Sequence, residues 1–249
     1  MNRNKIEEAN RFLIGINETE LDTKVYRFIS FENLAEILLF KRLSFPGINC
    51  WDDPYENYFF KTKVLFNESD ISSSLEEITT RLYGQCWTLS PESDALWRIY
   101  SSENKGVRIS TTLRKLYELT SYSESINDSI CIGRVNYQSI VEIEDSVKSC
   151  KHFTSMNSTF FFNSTLIKRN EFIHENEVRI IYSAGLDFKH DFKHYEIIPS
   201  SLIDSILLDP RISKRYEDLY RAAINSMGYE NEVKKSRLYE FEKLTITVS

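Results

Sequence analysis

Apolar residues recur along this chain in short runs whose period switches between two and about three and a half, the pattern of strands interleaved with short helices. Val25–Ile29 reads as a strand with Tyr26 and Phe28 on one face and Arg27 on the other. Ser30 then suits an N-cap, and Leu34, Ile37 and Leu38 form one stripe of the short helix behind it. Leu43–Phe45 is a second extended piece, closed by Pro46-Gly47. Gln85–Leu89 predicts a strand ended by Ser90-Pro91, and that pair predicts the start of a helix. This helix carries Leu96, Trp97 and Tyr100 and stops at Asn104-Lys105-Gly106. Val107–Ser110 resumes as a strand, Leu113–Leu119 as a helix and Ile130–Tyr137 as a strand. Glu177–Tyr182 alternates, with Val178, Ile180 and Tyr182 opposite Glu177, Arg179 and Ile181.

Elsewhere the periods are weaker. The first 20 residues suggest a polar helix with Ala9, Phe12, Leu13 and Ile16 on its apolar side. Helices are also expected over Leu75–Leu82, from about Val147 to Ile167, and over Ile212–Ser226. Further strands are expected at Tyr195–Ile198, Asp204–Leu208 and Leu244–Val248. Trp51–Asn57 reads as an acidic, aromatic loop, and Asn67–Ser74 and Ser121–Asp128 as polar surface insertions. Strict βαβ alternation is absent, as is any G-x-G-x-x-G or Walker glycine pattern, so the fold class expected is α+β. No repeat or linker divides the chain, which reads as one domain over 1–249, ending in a C-terminal helix and strand within 210–249.

Composition narrows the class. The 249 residues are 41% hydrophobic and 27% charged, as in an ordinary globular protein. With 31 Lys+Arg against 37 Asp+Glu the net charge is −6, which argues against nucleic-acid binding through bulk charge. The 16 Phe, 14 Tyr and 3 Trp supply core volume and stacking surfaces. No run approaches the roughly 20 apolar residues of a spanning helix, and Phe12–Ile16 is too short for a secretory core. Cys50, Cys86, Cys131 and Cys150 are dispersed and read as reduced thiols, so the expected location is the cytoplasm, away from membrane.

Four places hold polar groups that a core strand does not need. Arg27, in mid-strand before a capped helix, suits a phosphate or carboxylate through its planar fork, or simply faces water. Thr88 and Ser90 alternate onto one strand face, where two hydroxyls can position a ribose or a carboxylate, though such pairs are common. Glu175 and Glu177 share a face on an extended backbone and can divide labour, or be solvated edge charges. Asp52, Asp53 and Glu56 suit a hard cation or ordinary turn chemistry. His190 and His194, four apart in a charged run, read as a solvated loop rather than a metal site.

The ordered set Arg27, Thr88-x-Ser90 and Glu175-x-Glu177 resembles the Arg/Ser-x-Ser/Glu-x-Glu arrangement of ADP-ribosyltransferases. More closely, the chain resembles an uncharacterised bacterial family known as domain of unknown function 2971. Tyr26-Arg27-Phe28, Asp52-Asp53-Pro54-Tyr55-Glu56, Cys86-Trp87 to Ser90, Leu96-Trp97 with Tyr100, Lys105-Gly106-Val107 and Glu175-x-Glu177-x-Arg179 carry this resemblance. It implies a mixed or antiparallel split sheet flanked by helices, lining one NAD cleft. It further implies that Glu177 is the catalytic carboxylate on the ribose and that Glu175 orients the acceptor. Arg27 would contact the pyrophosphate, Thr88 or Ser90 would position Glu177, and Tyr26 and Tyr100 would line the NAD site. The chain departs from the transferase pattern at Leu89, which replaces the central hydroxyl of Ser-Thr-Ser.

The function this favours is an NAD-consuming enzyme, an ADP-ribosyltransferase acting as a bacterial toxin or antiphage effector, with a macromolecular acceptor and an inhibitory partner. A metal-dependent nuclease using Asp52, Asp53 and Glu56, and a non-catalytic protein- or nucleic-acid-binding module, are the competing readings.

Overall fold

The computed structural model describes residues 7–8, 10–65, 72–123, 128–149, 158–185 and 190–241. The first part contains strands β1 (Glu7–Glu8), β2 (Asn10–Ile14) and β3 (Lys24–Ile29), helix α1 (Phe31–Phe40), and strand β4 (Arg42–Pro46). A looped region leads to β5 (Lys63–Leu65), β6 (Ser72–Ser74), α2 (Glu76–Thr79), β7 (Leu82–Thr88) and α3 (Asp94–Tyr100). Next come β8 (Val107–Thr112), α4 (Leu113–Leu119), β9 (Tyr122–Ser123), β10 (Ser129–Arg134), β11 (Asn136–Gln138) and α5 (Ile140–Lys148). Then follow α6 (Ser158–Thr165), β12 (Ile167–Arg169), β13 (Glu177–Ser183) and β14 (Phe192–Glu196). The last elements are α7 (Pro199–Leu202), β15 (Ser205–Leu208), α8 (Lys214–Ser226) and β16 (Glu232–Lys235).

The fold is α+β, built on an eight-stranded mixed sheet in the order β16-β15-β8-β3-β7-β13-β10-β2. The end pairs, β16 on β15 and β2 on β10, are parallel, and every pair between them is antiparallel. β3 runs alongside β8 from Lys24 to Ile29, yet it meets β7 at one register pair, Tyr26 opposite Thr88. The sheet therefore splits into two halves, and the opening between β3 and β7 faces the functional residues.

Each face of the sheet is covered by its own core. Val25, Ile29, Ile109, Val178, Ile180 and Trp87 pack with residues of α1, α4 and α8 into one cluster. Leu82, Cys131 and Ile181 pack on the other face with Ile48, Phe59, Phe60 and Phe162. The Val178/Ile180/Tyr182 against Ile181 alternation thus separates the two cores as its period requires. α3 covers β3 through Phe28 and Trp97, whose rings meet edge to face at 4.8 Å.

Ser30 caps α1 by accepting from the Asn33 amide at 3.2 Å, as expected. Several expectations need correction. The N-terminal segment is strand rather than helix: Phe12, Leu13 and Ile14 lie in β2 beside β10. Phe12 and Ile14 pack on one core and Leu13 on the other, so an apolar run covered on both faces imitates a helical stripe. The helix expected over Leu75–Leu82 is a single turn, and Leu82 opens β7. α3 is capped by Ser93, not Ser90, its side chain accepting from Leu96 at 3.4 Å, and the helix ends at Tyr100. Over Val147–Ile167 the described residues hold the end of α5, then α6, and Ile167 belongs to β12. β16 was not anticipated, and the strand expected at Leu244–Val248 lies outside the described residues.

Candidate functional site

The split between β3 and β7 opens a cleft of about 490 Å³ lined by Tyr26, Arg27, Cys86, Thr88, Tyr100, Glu175 and Glu177 among others. β3 brings Tyr26 and Arg27, β7 brings Cys86 and Thr88, α3 brings Tyr100, the turn before β13 brings Glu175, and the first residue of β13 is Glu177. Gly84 shapes its floor, since a Cβ there would stand 2.7 Å from Trp51 Cζ2. Trp51 in turn lies 4.3 Å from the guanidinium of Arg179.

Glu175 and Glu177 reach the cleft by a route different from the strand alternation expected. Glu175 closes a 3₁₀ turn over Asn170–Glu175, Asn176 takes a left-handed conformation with φ 45°, and Glu177 is the first residue of β13. Asparagine tolerates that conformation better than most side chains. Thr88 locks the turn, its Oγ1 donating to the Glu175 carbonyl at 2.6 Å, while the Leu89 amide donates to the Asn176 carbonyl at 2.9 Å. Ser90 is outside the cleft lining, and its amide donates to Thr88 Oγ1 at 3.0 Å.

Beneath the cleft lies a buried ionic cluster. Arg179 is fully buried and donates through Nε to Glu177 Oε2 at 2.8 Å and through Nη2 to Glu56 Oε1 at 2.7 Å. Its Nη1 donates to the Thr165 carbonyl at 2.8 Å. The Lys168 ammonium donates to Glu177 Oε1 at 2.7 Å and to Glu175 Oε2, and lies 3.3 Å from Glu56 Oε1. Tyr100 donates its hydroxyl to Glu175 Oε1 at 3.1 Å, and Tyr137 Oη accepts from the Glu177 amide at 2.9 Å.

These contacts divide the two carboxyls. Burial and the neighbouring Glu177 push Glu175 up to about 7. Burial also works against an ionised Glu177, but Arg179 and Lys168 overcome it and hold this carboxyl well below the usual range. With Glu175 protonated, the charges of Glu56 and Glu177 match those of Lys168 and Arg179. Two carboxyls of opposite protonation in one cleft are the arrangement of an acid–base pair.

Arg27 stands apart. Its guanidinium is half-buried in the cleft lining, and it forms no hydrogen bond or ion pair with any described residue. Burial pushes its pKa down, against a smaller opposing effect of Cys86 and Tyr100. A desolvated cation without an anion is the complement of a phosphate or carboxylate ligand. On the opposite face of β3, Tyr26 stacks under Arg108, whose guanidinium carbon is 4.6 Å from the ring centroid.

Arg27, Tyr26, Thr88, Tyr100, Glu175 and Glu177 therefore meet in one place, and Ser90 sits one hydrogen bond away. The acids of the 52–56 loop do not converge. Asp52 is exposed, Asp53 pairs with Arg169 at 2.9 Å, and Glu56 is held by Arg179 and Lys168. Lys168 had no signal in the sequence, since a lone Lys in a short strand resembles any surface residue. Arg179 shares the Glu177 face, as the alternation of the strand predicts, but its complete burial between Glu177 and Glu56 has no signal in the sequence.

No curated protein matches the chain significantly. Among solved structures, Thermus sp. 2.9 DarT in complex with NAD+ is similar at 10% identity, covering 87% of this chain and 96% of DarT, with a TM-score of 0.40. The same protein in complex with ADP-ribosylated ssDNA is similar at 10% identity over 87% and 95%, with a TM-score of 0.41. Over residues 96–180, the stretch that carries Tyr100, Lys168, Glu175, Glu177 and Arg179, the chain matches the family described as “Protein of unknown function (DUF2971)”.

Proposed function

We propose that this chain is an NAD-consuming enzyme that transfers ADP-ribose to a macromolecular acceptor. The observation that carries this reading is the presence, in one cleft, of the Arg27 guanidinium, which has no partner among the described residues, and of the Glu175–Glu177 pair. A dinucleotide needs both ends: a cation for its pyrophosphate and an anion where the nicotinamide–ribose bond breaks. Arg27 takes the pyrophosphate through charge-assisted hydrogen bonds. Glu177, held ionised, stabilises the oxocarbenium-like ribose and accepts from a ribose hydroxyl. Glu175 orients the acceptor, with Tyr100 fixing its outer oxygen. Thr88 positions the pair through the Glu175 carbonyl, and Ser90 supports Thr88. Tyr100 offers a ring face to the nicotinamide or the base, and Tyr26 lines the site beside Arg27.

NAD+ and ADP-ribosylated ssDNA are ligands of the DarT structures; for this chain, the reading rests on Arg27 and the carboxylates. The biological role we infer is that of a bacterial toxin or antiphage effector restrained by an inhibitory partner. The test is incubation of purified protein with NAD labelled in its ADP-ribose part and a bacterial lysate, with Glu177→Gln alongside. Nicotinamide release and labelled macromolecules that are lost in the variant are expected. Nuclease and protease treatment of the labelled fraction then identifies the acceptor. Release without labelling would make the protein a hydrolase, and absence of both binding and release would refute the reading. Growth arrest on expression of the wild type but not of Glu177→Gln is the expected cellular outcome.

A further inference from the structure

Among the described residues, Lys168 is the cation that touches both members of the carboxylate pair. It is 7% exposed, comes from β12 rather than from any strand lining the cleft, and does not itself reach the cleft surface. A lysine buried to that degree loses most of its hydration, and the loss is offset only by well-placed anions. Its anions are Glu177, Glu175 and Glu56, and its ammonium also lies over the ring of Phe172, 4.7 Å from the centroid. The oxygens of the pair are apportioned. Glu177 gives one to Lys168 and one to Arg179, and Glu175 gives one to Lys168 and one to Tyr100.

We propose that Lys168 is the positioning residue of this site, its single ammonium fixing Glu175 against Glu177 and offsetting the repulsion between them. The catalytic part of this inference rests on the NAD reading above; the electrostatic part does not. Every element around the pair contributes a group to the balance. Glu56 comes from the 51–62 loop, Cys86 from β7, Tyr100 from α3, Tyr137 from β11, and Arg179 from β13. Arg27 on β3 lines the same cleft and interacts with Cys86 and Tyr100. Among these, Lys168 alone bridges the two carboxyls. Arg179 holds Glu177 without touching Glu175, and Tyr100 holds Glu175 without touching Glu177.

The test is a carbon-13 carboxyl titration of glutamate-labelled protein, wild type and Lys168→Met, with steady-state kinetics on NAD beside it. The expected result is that the Glu175 midpoint rises by at least one pH unit in Lys168→Met. Turnover is expected to fall at least tenfold while the KM for NAD stays within about threefold, since Arg27 is untouched. An unmoved midpoint, or a loss confined to KM, would overturn the proposal. Should Lys168→Met not fold, the wild-type Lys168 nitrogen-15 signal decides: it must move through the Glu175 step, and a flat signal overturns the proposal. If the wild type neither binds nor cleaves NAD, the enzymatic reading falls, and the titration still settles what Lys168 does.

Discussion

Tyr26 lies opposite Thr88 in the one register pair that joins β3 to β7. On their other edges both strands are paired along their length, β3 with β8 and β7 with β13. The two halves of the sheet thus meet at a single point, and the backbone that separates there makes room for a ligand without a cavity in either core. The residues at that point also carry the site: Tyr26 precedes Arg27, and the Thr88 hydroxyl holds the turn bearing Glu175.

Thr88→Val keeps the shape of this side chain and removes its hydroxyl. The Glu175 carbonyl and the Ser90 amide then both lose their partner. Leaving buried polar groups unpaired costs about 1–3 kcal/mol. Urea denaturation is expected to show a lower midpoint with an unchanged slope, and NAD turnover is expected to fall with it. An unchanged midpoint would mean that the turn holds itself.

Arg179 is the electrostatic keystone of the buried cluster. Arg179→Met strands Glu56 and Glu177 against Lys168 alone, and removing one partner of a buried pair costs about 3–5 kcal/mol. Arg179→Met should therefore be strongly destabilised at pH 7 in thermal or chemical denaturation. Adding Glu56→Gln to it should recover part of the loss, because one stranded charge is removed. No recovery would place the cost of Arg179→Met in packing against Trp51 instead.

Glu175 makes stability depend on pH with an unusual sign. Its carboxyl titrates at about 7 in the folded protein, against an ordinary value of 4.5. The folded state therefore binds this proton more tightly than the unfolded state. Its contribution is full below pH 4.5 and is lost as pH rises through 7, with a slope of up to about 1.4 kcal/mol per pH unit. Glu177 works the other way, contributing above its ordinary value and losing that contribution on acidification. Melting temperatures from pH 4.5 to 7.5 should fall more steeply for the wild type than for Glu175→Gln. Parallel curves would show that Glu175 is ionised throughout.

Much of this architecture is legible in the sequence, for local reasons. Ser30 before Leu34, Ile37 and Leu38 announces α1 because cap and stripe are both within one helix. β13 shows its two faces because Val178, Ile180 and Tyr182 all meet one apolar core, whereas the opposite face carries Glu177 and Arg179 beside Ile181. The failures share a cause as well. Phe12-Leu13-Ile14 is a strand covered on both faces, and its apolar run has lost the period that would identify it. Ser90-Pro91 has the local chemistry of a helix start, but Thr88 holds the Ser90 amide and Ser93 caps the helix instead.

The candidate site divides along the same line. Arg27, Thr88, Glu175 and Glu177 were visible as polar residues at strand positions that a core does not require. Lys168 and Glu56 gain their roles from segments brought together across more than a hundred residues, which no spacing encodes. The turn at Asn176 is intermediate: the two-residue spacing of the carboxylates is in the sequence, whereas the left-handed residue that brings them together is a feature of the fold.

Arg27 offers the most direct test of the central claim. Its guanidinium is half-buried and has no partner among the described residues, so its removal should cost the fold nothing and the ligand a great deal. The measurement is calorimetric titration of NAD into wild type and Arg27→Gln, with the melting temperature of each. The account predicts binding by the wild type, at least tenfold weaker affinity in Arg27→Gln, and a melting temperature equal to or above that of the wild type. Equal NAD affinity in the two proteins, or no NAD binding by the wild type, would contradict it.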